Sequence, residues 1–423
     1  MRKIVSTVVF MVAAAIRAAM PTVDGVTVTD VDGMLTVNYT LYAASAVITF
    51  DATTNGVPVD AAHFKSATGD VWKLMPAGSG TFTWRPANDI PLFNLADANL
   101  QVRVKAWPTD APPDYMVVSL ATNATTRVTV AYYECAEQLP GKVTDPVYKT
   151  SKLVMRKIPA AGVTWRMGSP STELGRQLHT GASETLHYVT LTEDYYLGVY
   201  PVTGAQWDYV RGSSGKSRLA VKANNMRDLR GNQSGNGDAM WPGDGHLITN
   251  TDSILYIIRQ YTGIDFDIPT EAQWEFACRA GEKAALYTGN EISDTATCAE
   301  VDEVAWYKGN YPHTLTTWPT FMEVGLKKPN AYGLYDMLGN IWEYCLDRYQ
   351  PNLGSGAVTD PKGGTSGTQY VKRGGAICSP ASLCRAAARS RDGGEGNWAD
   401  PFDTSLQHCD TGFRLWAAAR AVK

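Results

Sequence analysis

Hydrophobic and polar positions alternate along the first third of the chain. One apolar set consists of Leu35, Val37, Tyr39 and Leu41, and a second consists of Leu100, Val102, Val104 and Ala106. Phe82 and Trp84 alternate in the same way with threonines. A period of two indicates half-buried antiparallel strands. Several short strands within residues 21–134 therefore predict an immunoglobulin-like or fibronectin-like β-sandwich.

A linker and a second domain are predicted after the sandwich. Pro140, Gly141 and Pro146 interrupt any regular element in residues 135–152. In residues 153–423, Thr203 with Gln206 and Thr270 with Gln273 have the spacing of a helical capping box. Each pair predicts the start of a helix, and Gly281 is placed to end the second one.

Elsewhere this second region mixes aromatic residues with Gly, Asn, Asp and Ser. The densest example is residues 330–349, NAYGLYDMLGNIWEYCLDRY. Gly333 and Gly339 permit positive φ, and Asn and Asp side chains satisfy turn backbone groups. The stretch is predicted to be a tightly wound, buried loop. The region as a whole is predicted to be an irregular, loop-rich α+β domain.

Five ordered segments resemble the sulfatase-modifying-factor, or formylglycine-generating-enzyme-like, family. They are NAYGLYDMLGNIWEY at 330–344, VTWRMGSP at 163–170, YLGVYPVTGAQW at 196–207, IPTEAQWEFACRAG at 268–281, and residues 371–415, which open VKRGG and close TGFRL. The resemblance covers about two thirds of the chain. It implies a fold related to C-type lectin domains.

The N-terminus has the features of a secretory signal peptide. Arg2 and Lys3 precede an apolar run at residues 4–16, which is short for a membrane span, and small residues follow. We therefore expect residues 1–20 to be removed, and the protein to be secreted, periplasmic or at the cell surface. No later segment is apolar enough to form a transmembrane helix. The net charge of −4 and the lack of a basic block argue against nucleic-acid binding.

The resemblance implies a cysteine pair after the RGG motif that works with copper. Soft thiolates select Cu(I), and here Cys378 and Cys384 follow Arg373. However, the two are one residue further apart than in the enzymes, and Ala376 replaces the usual serine. The catalytic pair is thus one interpretation, and structural disulfides or buried thiols are the other.

Seven cysteines in an exported protein make disulfides an expectation. An odd number leaves at least one cysteine unpaired or intermolecular. We predict three bridges: Cys278–Cys298, Cys345–Cys384 and Cys378–Cys409.

A structural calcium site at Asn340 and Glu343 is also implied by the resemblance. Calcium takes oxygen ligands from carboxylates, amides and backbone carbonyls. The alternative is that Glu343 only accepts hydrogen bonds within its loop.

The C-terminal segment is the candidate ligand-binding surface. Trp and Arg are enriched in binding hot spots, and the candidates are Ser379, Ser382, Arg385, Arg389 and Trp398. The alternative for the two arginines is pairing with internal carboxylates such as Asp336 or Asp347. Some family members with this layout are variable proteins in which the residues after RGG differ between copies.

Two functions follow as hypotheses. The first is an exported binding module for a protein or glycan ligand, possessing a structural calcium. The second is a copper-dependent oxidase that converts a cysteine of a sulfatase polypeptide to formylglycine. The spacing of the cysteines favours the first hypothesis.

Overall fold

A computed structural model describes most of the chain from Met20 to Val422. The described ranges are 20–95, 99–120, 128–176, 184–212, 217, 219–221, 229–230, 248, 250–312, 320–364, 369–391 and 411–422. The predicted signal peptide lies almost wholly outside them.

The N-terminal region consists of two antiparallel sheets. Its strands are β1 (Thr22–Val31), β2 (Met34–Tyr42), β3 (Ala46–Thr54), β4 (Val57–Pro58), β5 (Thr68–Gly69), β6 (Leu74–Met75), β7 (Gly78–Trp84) and β8 (Leu100–Pro108). One sheet has the order β1-β2-β7-β5, and the other has the order β4-β3-β6 with β8 paired to β3. The predicted all-β sandwich is confirmed.

Aromatic packing fills the space between these two sheets. The Phe50 ring lies 4.8 Å from the rings of Phe64 and Phe82, and 5.4 and 5.5 Å from those of Trp72 and Trp84. The alternating apolar positions of β2 all point into this core, where each is at most 2 % exposed. Burial of these faces drives the sandwich to close.

A five-stranded sheet connects the N-terminal region to the rest of the chain. Its strands are β9 (Tyr115–Ser119), β10 (Thr129–Tyr133), β11 (Lys152–Ile158), β14 (Tyr195–Gly198) and β20 (Trp416–Ala418), in the order β10-β9-β11-β14-β20. Two 3-10 helices, Ala136–Gln138 and Pro146–Lys149, lie between β10 and β11. The predicted domain limits at 134 and 152 thus lie between β10 and the start of β11, which both pair with β9, and those limits stay predictions.

Two smaller sheets complete the second region. One contains β12 (Val163–Met167), β13 (His187–Leu191) and β16 (Val358–Thr359). The other contains β15 (Trp342–Arg348), β17 (Tyr370–Arg373), β18 (Arg389–Arg391) and β19 (Thr411–Gly412), in the order β18-β17-β15-β19. Long loops join these short strands, which confirms the predicted loop-rich α+β class.

The helices of the described residues are short. They are α1 (Pro86–Asp89), α2 (Gly204–Val210), α3 (Ile254–Thr262), α4 (Glu271–Arg279) and α5 (Ala299–Asp302). Both predicted capping boxes are present, at Thr203 for α2 and at Thr270 for α4. Helix α4 ends at Arg279, Ala280 takes the left-handed conformation of the C-cap, and Gly281 follows it at a positive φ of 98°.

The stretch 330–349 is a loop only in its first half. Residues 330–341 form turns with Asp336 and Asn340 at positive φ, whereas residues 342–348 form strand β15. Every residue of β15 is buried. The prediction of a loop across the whole stretch is wrong for this part, because a strand covered on both faces shows no alternation of polar and apolar residues.

Candidate functional site

Asn330 fastens the start of the NAYGLYDMLGNIWEY loop to helix α4. Its Nδ2 atom donates to the carbonyls of Ala277 and Cys278 at 2.7 and 3.0 Å, and its Oδ1 atom accepts from the backbone N–H groups of Tyr332 and Leu334 at 3.0 Å each. The side chain therefore satisfies carbonyls at the end of the helix while it fixes the turn of the loop.

Gly339 allows the loop to pass directly against a neighbouring backbone. Its φ is +74°, and a Cβ atom built there would lie 2.4 Å from the carbonyl oxygen of Trp306. No L-residue fits this position without backbone movement. The close approach sets the direction in which Asn340 and β15 leave the loop.

Glu343 lies in the core, paired with Arg414. Arg414 donates from Nε and Nη2 to the two carboxylate oxygens at 3.2 and 2.8 Å, and the indole Nε1 of Trp274 donates to Oε2 at 2.7 Å. Both residues of the ion pair are at most 1 % exposed. The pair joins the GNIWE motif to the TGFRL motif at the other end of the domain.

Asn340 also uses its side chain within the loop. Its Oδ1 atom accepts from the N–H of Met322 at 3.0 Å, and its Nδ2 atom donates to the carbonyl of the same residue at 3.2 Å. The side-chain oxygens of Asn340 and Glu343 are thus occupied by protein donors, one of them a cation. These two side chains do not fit calcium in this arrangement, and the calcium site stays a prediction that the contacts do not support.

A network of buried ion pairs connects α4 with strands β17 and β18, on either side of the RGG glycines. Arg389 donates to both carboxylate oxygens of Glu271, at 2.5 and 2.8 Å, and Arg373 pairs with Glu275. Arg279 donates to the same Glu275 at 2.8 Å. Buried charges are tolerated only when they are paired and hydrogen-bonded in this way.

Arg385 is paired in a second buried cluster. Its guanidinium group contacts Glu173, and donates to both carboxylate oxygens of Glu184 at 2.9 and 3.0 Å. Arg385 and Arg389 are 0 and 1 % exposed. Their prediction as surface ligand-binding residues is therefore corrected, because both groups neutralise internal glutamates. Both arginines pair with internal carboxylates, as the alternative predicted, but the partners are glutamates and not Asp336 or Asp347.

The two serines of the predicted surface differ in exposure. Ser379 is buried, and its Oγ accepts from the N–H of Ala376 at 3.0 Å. Ser382 is half-buried, and its carbonyl accepts from Arg385. Trp398 lies outside the described residues. Of the predicted ligand-binding residues that the structure describes, only Ser382 is partly exposed to solvent.

Cys384 is a free thiol in the core. It is fully buried, and this burial raises the pKa of the thiol to about 12. Cys378 is 1 % exposed and is disulfide-bonded, while its predicted partner Cys409 lies outside the described residues. The residues predicted as a catalytic pair do not form a pair of accessible thiolates, and therefore do not fit a copper ion held by two sulfurs.

Two of the three predicted disulfides are wrong. Cys278, Cys298, Cys345 and Cys384 are all free thiols, and all four are buried. Burial raises the pKa of Cys278 to about 12 and that of Cys345 well above its ordinary value. They pack as small apolar residues. The Cys378–Cys409 pairing stays a prediction.

A row of polar side chains, which the sequence did not reveal, crosses the three strands β15, β17 and β18. Tyr344, Lys372 and Ser390 are directly opposite one another across the three strands, and the Lys372 ammonium lies 5.6 Å from the centre of the Trp342 ring. In the described structure, the buried Trp342 Nε1 and Ser390 Oγ atoms have no hydrogen-bond partner. Such atoms are rare in folded proteins, and a strand of buried residues gives no sequence signal for them.

Two buried aspartates have raised pKa values. Burial raises the pKa of Asp336 to about 6, although its carboxylate accepts from the N–H of Gly325 at 2.6 Å. Burial and the neighbouring negative charge of Glu271 raise the pKa of Asp347. In the described ranges, no group of three or more His, Cys, Asp or Glu side chains is arranged to hold a metal ion.

Comparison with known proteins agrees with this geometry. The model of the sulfatase-modifying factor enzyme 1-like domain matches residues 155–415, which is more than half of the chain. The chain belongs to the sulfatase-modifying factor family.

Among the helices of the described ranges, none is long and apolar enough to cross a membrane.

Individual relatives of this family match shorter parts. The chain is 35% identical over 133 residues to the mouse formylglycine-generating enzyme, covering 30% of this chain and 34% of that protein. It is 36% identical over 91 residues to the mouse inactive C-alpha-formylglycine-generating enzyme 2, covering 20% and 27%. The chain thus spans about a third or less of the length of these two curated relatives.

Among solved structures, PvdO from Pseudomonas aeruginosa aligns at 19% identity with a TM-score of 0.44. The alignment covers 63% of this chain and 94% of that one.

Proposed function

We propose that this protein is an exported member of the family whose C-terminal domain binds a protein or glycan ligand and does not oxidise sulfatase cysteines. The state of the two cysteines after the RGG motif carries the proposal. An oxidase of the predicted type needs two thiolates that reach both copper and a substrate cysteine. Here one sulfur is in a disulfide and the other is a buried thiol.

The position of Cys384 makes its recruitment costly. The site next to it is tight, because a Cβ atom on Gly375 would lie 2.7 Å from the Cys384 Sγ atom. A thiol with a pKa of about 12 is protonated at neutral pH, and the thiolate is the form that binds metals. Ionising Cys384 would require the surrounding core to open.

Family membership does not decide between the two functions. The chain is as similar to a relative named as the generating enzyme as it is to one named as inactive, at 35% and 36% identity. The chemistry of the site must therefore decide, and it supports a scaffold that lacks the oxidase centre.

An oxidation assay tests the first half of the proposal. A peptide containing Cys-x-Pro-x-Arg is incubated with the full chain, Cu(I) and oxygen, and the aldehyde is captured with a hydrazide and detected by mass spectrometry. We expect no aldehyde, while the mouse formylglycine-generating enzyme serves as the positive control. Turnover that is lost in both Cys378→Ser and Cys384→Ser would restore the oxidase interpretation.

The binding half is tested with glycan and peptide arrays. We expect Ser382→Ala and Trp398→Ala to reduce the retained signal while the melting temperature stays the same. Ser355→Ala, at an exposed position of the same region, is the control. Export is tested by N-terminal sequencing of the mature protein, which we expect to begin near Pro21. Equal array signals for the unaltered protein and for the Ser382→Ala and Trp398→Ala variants would contradict the assignment of this surface.

A further inference from the structure

Strand β1 has an open edge. It pairs with β2 on one side and lies at the end of the β1-β2-β7-β5 sheet, and no other strand in the described ranges pairs with it. Nine of its ten residues are exposed, and Val23 is the exception. An edge of this length presents a row of backbone N–H and C=O groups to which another chain can bind.

Exposed apolar side chains are concentrated around this edge. The described residues include twelve large hydrophobic side chains that are exposed, and six of them lie within residues 20–42: Met20, Val26, Val28, Val31, Met34 and Tyr42. Val31 and Met34 are directly opposite each other across the β1-β2 hairpin. Single exposed apolar residues are ordinary, but such a concentration marks an interaction surface.

The charged residues of the β1-β2 hairpin are all negative. From Met20 to Phe50 the chain contains Asp24, Asp30 and Asp32, and it contains no lysine or arginine. Among the described residues, the Asp24 and Asp30 carboxylates accept from the backbone N–H groups of Gly25 at 2.6 Å and Gly33 at 2.9 Å, and these bonds do not neutralise their charges.

The nearby basic residues are already engaged, and Arg85 donates from Nη1 to the backbone carbonyl of Asp32 at 2.7 Å. Strand β8 of the other sheet approaches β1 without pairing with it, and its Arg103 and Lys105 side chains form ion pairs with Asp51 and Glu134. The aspartates of β1 are therefore left as an acidic border beside the exposed valines.

We infer that the open edge of β1 is a docking site for an extended, basic segment of another protein, which adds to the sheet as a further strand. Backbone hydrogen bonds supply affinity in this mode of recognition, and alternate side chains supply specificity. The acidic border selects a basic segment. It also disfavours pairing with a second copy of this chain, because that would bring the aspartates of two β1 strands together.

Three labelled peptides test this site by fluorescence anisotropy on the full chain: KVTVKVTV, the acidic EVTVEVTV, and KVPVKVPV, in which proline removes strand hydrogen bonds. We expect the first to bind about tenfold more tightly than either of the others. Its affinity should fall as the salt concentration rises above about 0.15 M, because salt screens exposed charges. Hydrogen exchange should show new protection at residues 27–31.

The charge reversal Asp24→Lys/Asp30→Lys should exchange the preference between the first two peptides. Glu193→Lys/Asp265→Lys, which makes the same change in net charge at exposed positions of the second region, should leave the preference unchanged. If the charge-reversed variant does not fold, the inference is tested on the unaltered protein, by the salt dependence of peptide binding and by the hydrogen-exchange pattern. Equal binding of all three peptides, protection outside β1, or a peptide-free dimer with β1 already protected would overturn the inference.

Discussion

Arg414 and Glu343 form a two-pronged ion pair in the core, with Nε–Oε2 and Nη2–Oε1 distances of 3.2 and 2.8 Å. Arg414 also donates to the carbonyls of Gly198 and Tyr335 at 2.7 Å each. One guanidinium group thus holds together β14, the NAYGLYDMLGNIWEY loop and strand β15. The arrangement assigns Glu343 a structural role that requires no metal ion.

Glu343→Gln should lower the free energy of unfolding by about 3–5 kcal/mol, because it leaves the buried Arg414 guanidinium without its counter-charge. Urea unfolding followed by fluorescence measures the change. The control is Glu303→Gln, since Glu303 pairs with Lys328 on the surface, where the side chains are 50 and 66 % exposed. We expect that substitution to cost less than about 1 kcal/mol. Equal losses of unfolding free energy in Glu343→Gln and Glu303→Gln would contradict the stabilising role given to the Arg414–Glu343 ion pair.

Removal of calcium should leave the melting temperature unchanged. A calcium ion bound only to the native state would stabilise it in proportion to the logarithm of its concentration. The oxygens that it would need from Asn340 and Glu343 already accept hydrogen bonds from Met322, Trp274 and Arg414. Calorimetric scans with EDTA and with added calcium measure this. A rise with calcium in the unaltered protein, absent in Asn340→Ala, would restore the predicted site.

Local patterns were the most informative part of the sequence. The capping boxes at Thr203 and Thr270 involve atoms three residues apart, so their spacing alone fixes the contact. The alternation in β2 and β7 reports which face meets the sandwich core. Helix α3 was not predicted, although Ser253 caps its start and Gly263 takes the left-handed conformation at its end.

Contacts between distant parts of the chain could not be predicted in the same way. Arg385 pairs with Glu184, which is 201 residues away, and the chain contains many other carboxylates at comparable separations. The Cys278–Cys298 and Cys345–Cys384 pairings were wrong for the same reason, because a bridge depends on Cα positions that only the fold determines. A strand buried on both faces, such as β15, shows no alternation of polar and apolar residues, so the local pattern that identifies other strands is absent.

Alkylation under denaturing, non-reducing conditions should label five cysteines: Cys135, Cys278, Cys298, Cys345 and Cys384. Under native conditions the last four should react slowly, because each is buried in the folded protein. Peptide mass spectrometry reads out both experiments, and the half-buried Cys135 serves as the internal comparison. Peptides linked through Cys278–Cys298 or Cys345–Cys384 in fresh, exported protein would contradict the free thiols.

Asp336→Asn should stabilise the protein at alkaline pH and have little effect near pH 4. Burial raises the pKa of Asp336 from 3.8 in the unfolded chain to about 6 in the folded one. Between these values the native state binds more protons than the unfolded state, so stability falls as the pH rises through this range. Above about pH 7 the carboxylate is ionised in both states, and its burial costs up to about 3 kcal/mol, at 1.36 kcal/mol for each pKa unit.

Asparagine is the suitable replacement because it keeps an oxygen that can accept from the Gly325 N–H and it tolerates the positive φ of 53° at this position. Urea unfolding of both proteins across this pH range gives the difference in stability, which should grow from near zero at pH 4 to its full value at pH 8. Asp302→Asn, which alters a carboxyl at the end of α5, controls for the loss of one negative charge. A difference that does not change with pH would show that the Asp336 carboxyl is not held at a raised pKa.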